Sequence, residues 1–308
     1  MSAPEKFCTP VLVITFNRPH HLSTVLNAIK VAAIDNLYIA SDGPRRDSPD
    51  DVLKVNETRR QIKNIDWVNN LRTLFHSDNL GCKLGVYAAI DWFFSEVNEG
   101  IIIEDDCLPN QDFFKFCHQM LERYREDPKV WVITGTNFQS QKIGDGSYYL
   151  SKYNHVWGWA TWRRSWRMID KRISFWPSFK NSPEWKAIFY HPGEMLYWED
   201  VFDRMYRNPI DTWDYQWTAS VWLHHGLTVT PNVNLVSNIG FDCDATHTKD
   251  SSHPLAFRKS HKMSVIKEPS FAGPYKDADL TTFRKVFGGR SYLYPLYFVR
   301  KFFSFLRN

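Results

Sequence analysis

A chain of 308 residues, 43% hydrophobic and 23% charged, has the balance of a globular protein with room for one large core. Its formal charge of +4, from 38 basic and 34 acidic side chains, is too slight to mark a nucleic-acid partner, and no stretch of about 20 apolar residues marks a membrane span. The five cysteines (Cys8, Cys82, Cys107, Cys117 and Cys243) are scattered, odd in number and without CxxC spacing, so neither a zinc site nor a disulfide framework is indicated and a reducing compartment fits best.

Residues 1–10 lack the apolar segment of a signal peptide, so a cytoplasmic protein is expected. Residues 10–16 read as a buried strand broken by Asn17-Arg18-Pro19, and a helix follows over 21–31. A second strand, 37–40, stops at Ser41-Asp42-Gly43-Pro44, after which 50–64 has the pattern of an exposed helix. A short strand at 71–76 leads through the loop 78–83 into a helix over 84–97 and a strand at 101–103. Asn110 or Asp112 then caps a helix whose apolar residues Phe113, Phe116, Cys117, Met120, Leu121 and Tyr124 recur at helical spacing, and 130–134 is the next strand.

This alternation predicts an α/β fold with a single, mostly parallel central sheet flanked by helices. From about residue 138 the regularity gives way to a segment rich in Trp, Asn, Gly and Pro, read as a lobe built on the same sheet. Residues 249–308 form a C-terminal extension. Its last stretch, 296–308, sets Arg300, Lys301 and Arg307 against Phe298, Phe302 and Phe305, so it either lies on an anionic membrane surface or docks on the protein's own core.

The chemistry is concentrated at the end of the 101–103 strand, where Ile101-Ile102-Ile103 runs directly into Glu104-Asp105-Asp106. Three crowded carboxylates at a strand tip call for a compensating cation, commonly a hard divalent metal with a bound phosphate, although an acidic solvated turn has the same appearance. Four loops leave the ends of successive strands and carry Asn17-Arg18, Asp42, Asn79 to Lys83, and Glu104 to Asp106. In an open parallel sheet such tips converge on one crevice, and together they suit a nucleoside diphosphate and its metal. Neither GxGxxG nor GxxxxGK[ST] is present, which argues against a dinucleotide and against a P-loop enzyme.

The order strand then Asn17-Arg18-Pro19, strand then Ser41-Asp42-Gly43, Asn79-Leu80-Gly81, Glu104-Asp105-Asp106 and Asp112-Phe113-Phe114 resembles nucleotide-sugar transferases of the A-type glycosyltransferase fold. N-acetylglucosaminyltransferase I and its bacterial relatives have the most similar motif order. The likeness extends over about residues 10–248, through Gly158-Trp159, Trp213-Asp214, Ser237-Asn238 and Gly240 to Thr246-His247. It implies a catalytic domain over 1–248, with a Rossmann-like donor-binding half at about 8–137 and an acceptor-side half at about 138–248.

What the resemblance implies for single residues follows from these matches. Asp106 would be the direct ligand of Mn²⁺ or Mg²⁺, completed by His247, with Glu104 and Asp105 near the ribose and donor sugar. Asp42 would meet the base, Asn17 and Arg18 the base or phosphate, and Asn79 and Lys83 the phosphates. A general base is sought at Asp214, or at the pair Glu199-Asp200; Trp157 and Trp159 would contact sugar, although core packing is the ordinary fate of a Trp. A lone His is more often structural than a ligand, and a loop Lys is as often solvated.

The expected activity is metal-dependent, inverting transfer from a nucleoside-diphosphate sugar, UDP-linked by first expectation, to a glycan or glycolipid acceptor in bacterial surface-polysaccharide assembly. That work would place it peripherally at the inner membrane face. The competing readings are a non-catalytic carbohydrate-binding protein and a sugar nucleotidyltransferase, the second weakened because 15–19 lacks a glycine-rich nucleotide loop.

Overall fold

The computed structural model describes residues 7–208, 210–241, 258–263, 265–289 and 292. The first half runs β1 (Val11–Thr15), α1 (Pro19–Val31), β2 (Asn36–Ser41), α2 (Pro49–Lys63), β3 (Asn70–Phe75), α3 (Gly81–Glu96), β4 (Glu99–Glu104), β5 (Cys107–Pro109), α4 (Gln111–Arg123) and β6 (Val130–Thr134). After it come β7 (Tyr148–Ser151), β8 (Trp159–Trp162), three short helices α5 (Arg163–Trp166), α6 (Trp176–Phe179) and α7 (Pro183–Ala187), then α8 (Pro192–Arg207), α9 (Asp214–Leu223), β9 (Leu227–Pro231), β10 (Val236–Asn238) and α10 (Lys276–Val286).

Eight strands form one sheet in the order β3-β2-β1-β4-β8-β6-β9-β7. The first four are parallel, as the alternation of strand and helix predicts. The expectation of a mostly parallel sheet is corrected beyond them: β8 lies antiparallel between β4 and β6, and β7 is antiparallel to β9, so the sheet is mixed. Periodicity could not reveal this, because Trp159-Ala160-Thr161-Trp162 is buried along its whole length and gives neither alternation nor direction.

Both faces of the sheet are covered. Val11, Val13, Ile101 and Ile103 point to one side, among Leu22, Val25 and Ile29 of α1 and Phe113, Phe116 and Cys117 of α4. Leu12, Ile102 and Val132 point to the other, among Ile90 and Phe93 of α3 and a tryptophan cluster from α5 to α9. The period of two in these strands is therefore a partition between two apolar layers.

The C-terminal extension is helical earlier than its polar composition suggests. Helix α10 buries Ala278, Asp279, Thr282 and Phe283, a face half polar and thus invisible to an apolar period. The 296–308 helix lies outside the described residues. Among those described, no helix is long and apolar enough to cross a membrane.

Candidate functional site

Parallel neighbours β1 and β4 flank the point where strand order reverses, and an α/β sheet opens a crevice at such a point. The loops after these two strands meet there. Arg18, just past β1, reaches Asp105 Oδ1 through Nη2 at 2.5 Å and Asp106 Oδ2 through Nη1 at 2.8 Å. Asp105 is 1% exposed and also accepts from the Thr15 hydroxyl at 2.7 Å and the Phe16 amide at 3.2 Å. It is therefore a buried strut beneath the site rather than a group facing ligand. Burial opposes the Arg18 charge, but Asp105, Asp106 and Glu104 outweigh it and hold the guanidinium pKa above its ordinary value.

Glu104 and Asp106 line a cavity of about 380 Å³ together with Arg18, Cys82, Val156, Trp157, Thr212, Trp213, Asp214, Tyr215, Asn238 and Gly240. The far wall is brought in by a two-stranded ribbon: β10 pairs antiparallel with β5, and the Ile239 amide donates to the Asp106 carbonyl at 2.8 Å. Gly240 then lies so close to the acidic tip that a Cβ there would stand 2.5 Å from Asp106 Oδ2. The floor is aromatic, with Trp213 stacked on Trp159 at 5.7 Å and Trp159 in turn against Trp217 and Trp166. Asp214 opens α9 beside this floor and accepts the Thr212 hydroxyl on Oδ1.

Several expected ligand contacts are occupied by the fold instead. Asp42 receives the amides of Gly43, Leu80 and Gly81 and the Asn79 side chain, so both residues fasten the loop before α3 and neither lines the cavity. Asn17 donates to Asp51 of α2 at 2.7 Å. The Lys83 amide donates to Asp211 at 2.8 Å, and Lys83 does not line the cavity. Trp159, at 1% exposure, is core, which leaves Trp157 as the member of that pair on the cavity wall. Glu199 accepts from the Trp185 indole and sits with Asp200 on α8, away from the cavity lining. His247 lies outside the described residues.

Sequence reasoning passed over Cys82, Thr212, Tyr215 and the contact of Gly240 with Asp106. Only Gly240 carried a signal, as a glycine in the segment 237–240 that closes on the acidic tip.

A divalent cation suits this donor set. Burial first, and then the neighbouring carboxylates Asp106, Asp105 and Asp214, raise Glu104 well above the ordinary carboxylate range in spite of Arg18, and a cation beside it would favour the charged form. Among the described residues no three metal-ligating side chains form a cage. Mg²⁺ and its like need none, since one or two carboxylates and substrate phosphates hold them.

No family model matches the sequence, and no curated protein matches it. Among solved structures, HddC from Yersinia pseudotuberculosis is similar over 51% of this chain and 77% of its own, at 11% identity and a TM-score of 0.32. The same protein complexed with GMP-PN gives 10% identity and 0.31 over 50% and 77%. A 4-diphosphocytidyl-2C-methyl-D-erythritolsynthase from Anaerococcus prevotii DSM 20548 is similar over 70% of this chain and 98% of its own, at 11% identity and 0.32. Likeness this slight leaves the site's own geometry as the basis for its function.

Proposed function

We propose that the cavity is the donor site of a metal-dependent glycosyltransferase acting on a nucleoside-diphosphate sugar. The observation that carries this reading is the convergence of Arg18, Glu104, Asp106 and Asp214 on one aromatic-walled cavity beside the β1/β4 crevice. Acidic and basic groups opposed in this way match a diphosphate and its cation, and the half-buried Trp157 on the wall offers aromatic surface to a sugar.

Mn²⁺ or Mg²⁺ held by Asp106 and Glu104 would supply Lewis-acid neutralisation of the leaving diphosphate. Arg18 offers the same oxygens a second positive charge, already oriented by Asp105. Asp214 takes the proton of the acceptor hydroxyl as that oxygen bonds to the anomeric carbon. The bond from this carbon to the diphosphate breaks, its electron pair leaving with the nucleoside diphosphate, and attack from the opposite face inverts the centre. The acceptor is a glycan or glycolipid. A nucleotidyltransferase would cradle a triphosphate in a glycine-rich loop after β1, and Phe16-Asn17-Arg18-Pro19 contains no glycine.

The test is calorimetric titration of UDP, GDP, CDP, ADP and dTDP, with and without Mn²⁺. One nucleotide binding tightly only with metal supports the transferase. No binding by any of them removes the donor site, and pyrophosphate release from a nucleoside triphosphate with a sugar 1-phosphate turns the assignment to nucleotidyl transfer.

A further inference from the structure

Helix α3 begins beside the cavity, and its first turn needs four hydrogen-bond acceptors that the helix itself lacks. Asp42 accepts the Leu80 and Gly81 amides. The Cys82 and Lys83 amides go to Asp211, at 3.1 Å to Oδ2 and 2.8 Å to Oδ1. Asp42 belongs to the same half as the helix, whereas Asp211 comes from the segment that leads into α9, 129 residues beyond Cys82. Gly81, at φ +79°, leaves the room: a Cβ there would lie 2.9 Å from Asp211 Oδ2.

Asp211 immediately precedes the threonine of the threonine–aspartate contact at the cavity. Ile210, Thr212, Trp213 and Asp214 all line the cavity, and Thr212 holds the Asp214 carboxylate. The three charges are close enough to act on one thiol: burial, then Glu104, Asp211 and Asp214, push Cys82 up to about 12. A carboxylate on two helix amides is favoured by both hydrogen bonding and the helix dipole.

We propose that Asp211 is a positioning residue, a latch that locks the 210–214 segment onto α3 and so sets Asp214 against the donor held by Glu104, Asp106 and Arg18. It touches neither donor nor acceptor and acts through Asp214, so the proposal rests on the function assigned above. Misplacing a catalytic group by about 1 Å costs on the order of a hundredfold, and that is the loss a released latch should approach.

The probe is slow transfer of the sugar to water, read as UDP release from UDP-N-acetylglucosamine, UDP-glucose and UDP-galactose with Mn²⁺, alongside calorimetric UDP affinity. Asp211→Ala should lower kcat on the order of 10- to 100-fold with UDP affinity and KM within about threefold. Asp211→Asn, which retains an acceptor oxygen, should recover most of the loss, and it serves as the folded variant if Asp211→Ala does not fold. In an Asp214→Asn background Asp211→Ala should add almost nothing, since the two act as one unit. Unchanged kcat in Asp211→Ala, an equal fall in UDP affinity, or full additivity with Asp214→Asn overturns the latch. A fully active Asp214→Asn instead overturns the assignment of the base, and the latch with it.

Discussion

The Thr15 hydroxyl donates to Asp105 Oδ2 at 2.7 Å across 90 residues of sequence, tying the tip of β1 to the tip of β4. Arg18 closes the same knot from the next turn of chain and extends it to Asp106. The acidic triplet thereby divides its labour: the middle carboxylate faces inward to hold the strands, and its neighbours face the cavity.

This division predicts opposite phenotypes for adjacent residues. Asp105→Ala leaves a largely buried guanidinium short of a partner and should destabilise by about 3–5 kcal/mol, the usual result of breaking a buried pair. Asp106→Ala leaves Arg18 paired with Asp105, so thermal unfolding should stay near wild type while Mn²⁺-dependent nucleotide binding is lost. Melting curves and nucleotide titrations on the two variants check both halves; equal melting temperatures would refute the strut.

Gly240→Ala probes the acidic tip from the opposite wall. The added Cβ would come within 2.5 Å of Oδ2 and 2.8 Å of Cβ of Asp106, so the carboxylate or the 238–241 turn must shift. Metal-dependent nucleotide affinity should fall at least tenfold, about 1.4 kcal/mol, with a smaller loss of stability. Wild-type affinity in a folded Gly240→Ala protein would show that Asp106 is not held by this contact.

The parallel half of the fold was legible because its strands are short apolar runs ending at Arg18, Asp42 and Glu104, each boundary marked by a charged or turn-forming residue. The lobe beyond it was not, because its core is tryptophan: Trp159 of β8, Trp166 of α5, and Trp213 and Trp217 at the start of α9 pack on one another, and aromatic burial has no period. At the site, residue types singled out the acidic tip, and the motif resemblance offered Asp214 alongside Glu199 and Asp200, of which Asp214 lines the cavity. They could not reveal that Asp42 and Asn17 are engaged by their own half, since a carboxylate capping α3 and one meeting a ligand are the same letter.

Asp214→Asn removes the proposed proton acceptor while keeping shape and the Thr212 contact. Its kcat for sugar transfer should fall 10²- to 10⁴-fold, roughly the contribution of general-base catalysis, with nucleotide affinity within about threefold. Steady-state kinetics beside titration separate the two quantities. Glu199→Gln, on α8, should leave both unchanged, and a larger kinetic loss there than at Asp214 would move the base to α8.

The last prediction concerns stability against pH at the other end of the molecule. Helix α10 is fastened to the strand edge by Asp279, which accepts the Ser151 hydroxyl at 2.5 Å and the Lys152 amide at 3.5 Å. Lys152 Nζ pairs with Glu194 at 2.9 Å, and Tyr153 donates to the same carboxylate. Two buried carboxylates thus face one ammonium, and burial, opposed by Lys152 and the Ser151 hydrogen bond and reinforced by Glu194, pushes Asp279 up to about 7. Between its unfolded value near 3.8 and about 7 the folded protein therefore holds the proton more tightly than the unfolded chain. This group's contribution to stability is greatest below pH 4, declines as pH rises through that window, and is constant above it. The decline approaches at most about 1.4 kcal/mol per pH unit. Asp279→Asn has no proton to lose, so its stability relative to wild type should climb from pH 4 to 7 and level off at higher pH. Urea unfolding of both proteins at half-unit steps measures that difference, and a flat difference across the window would mean that Asp279 titrates in the ordinary carboxylate range.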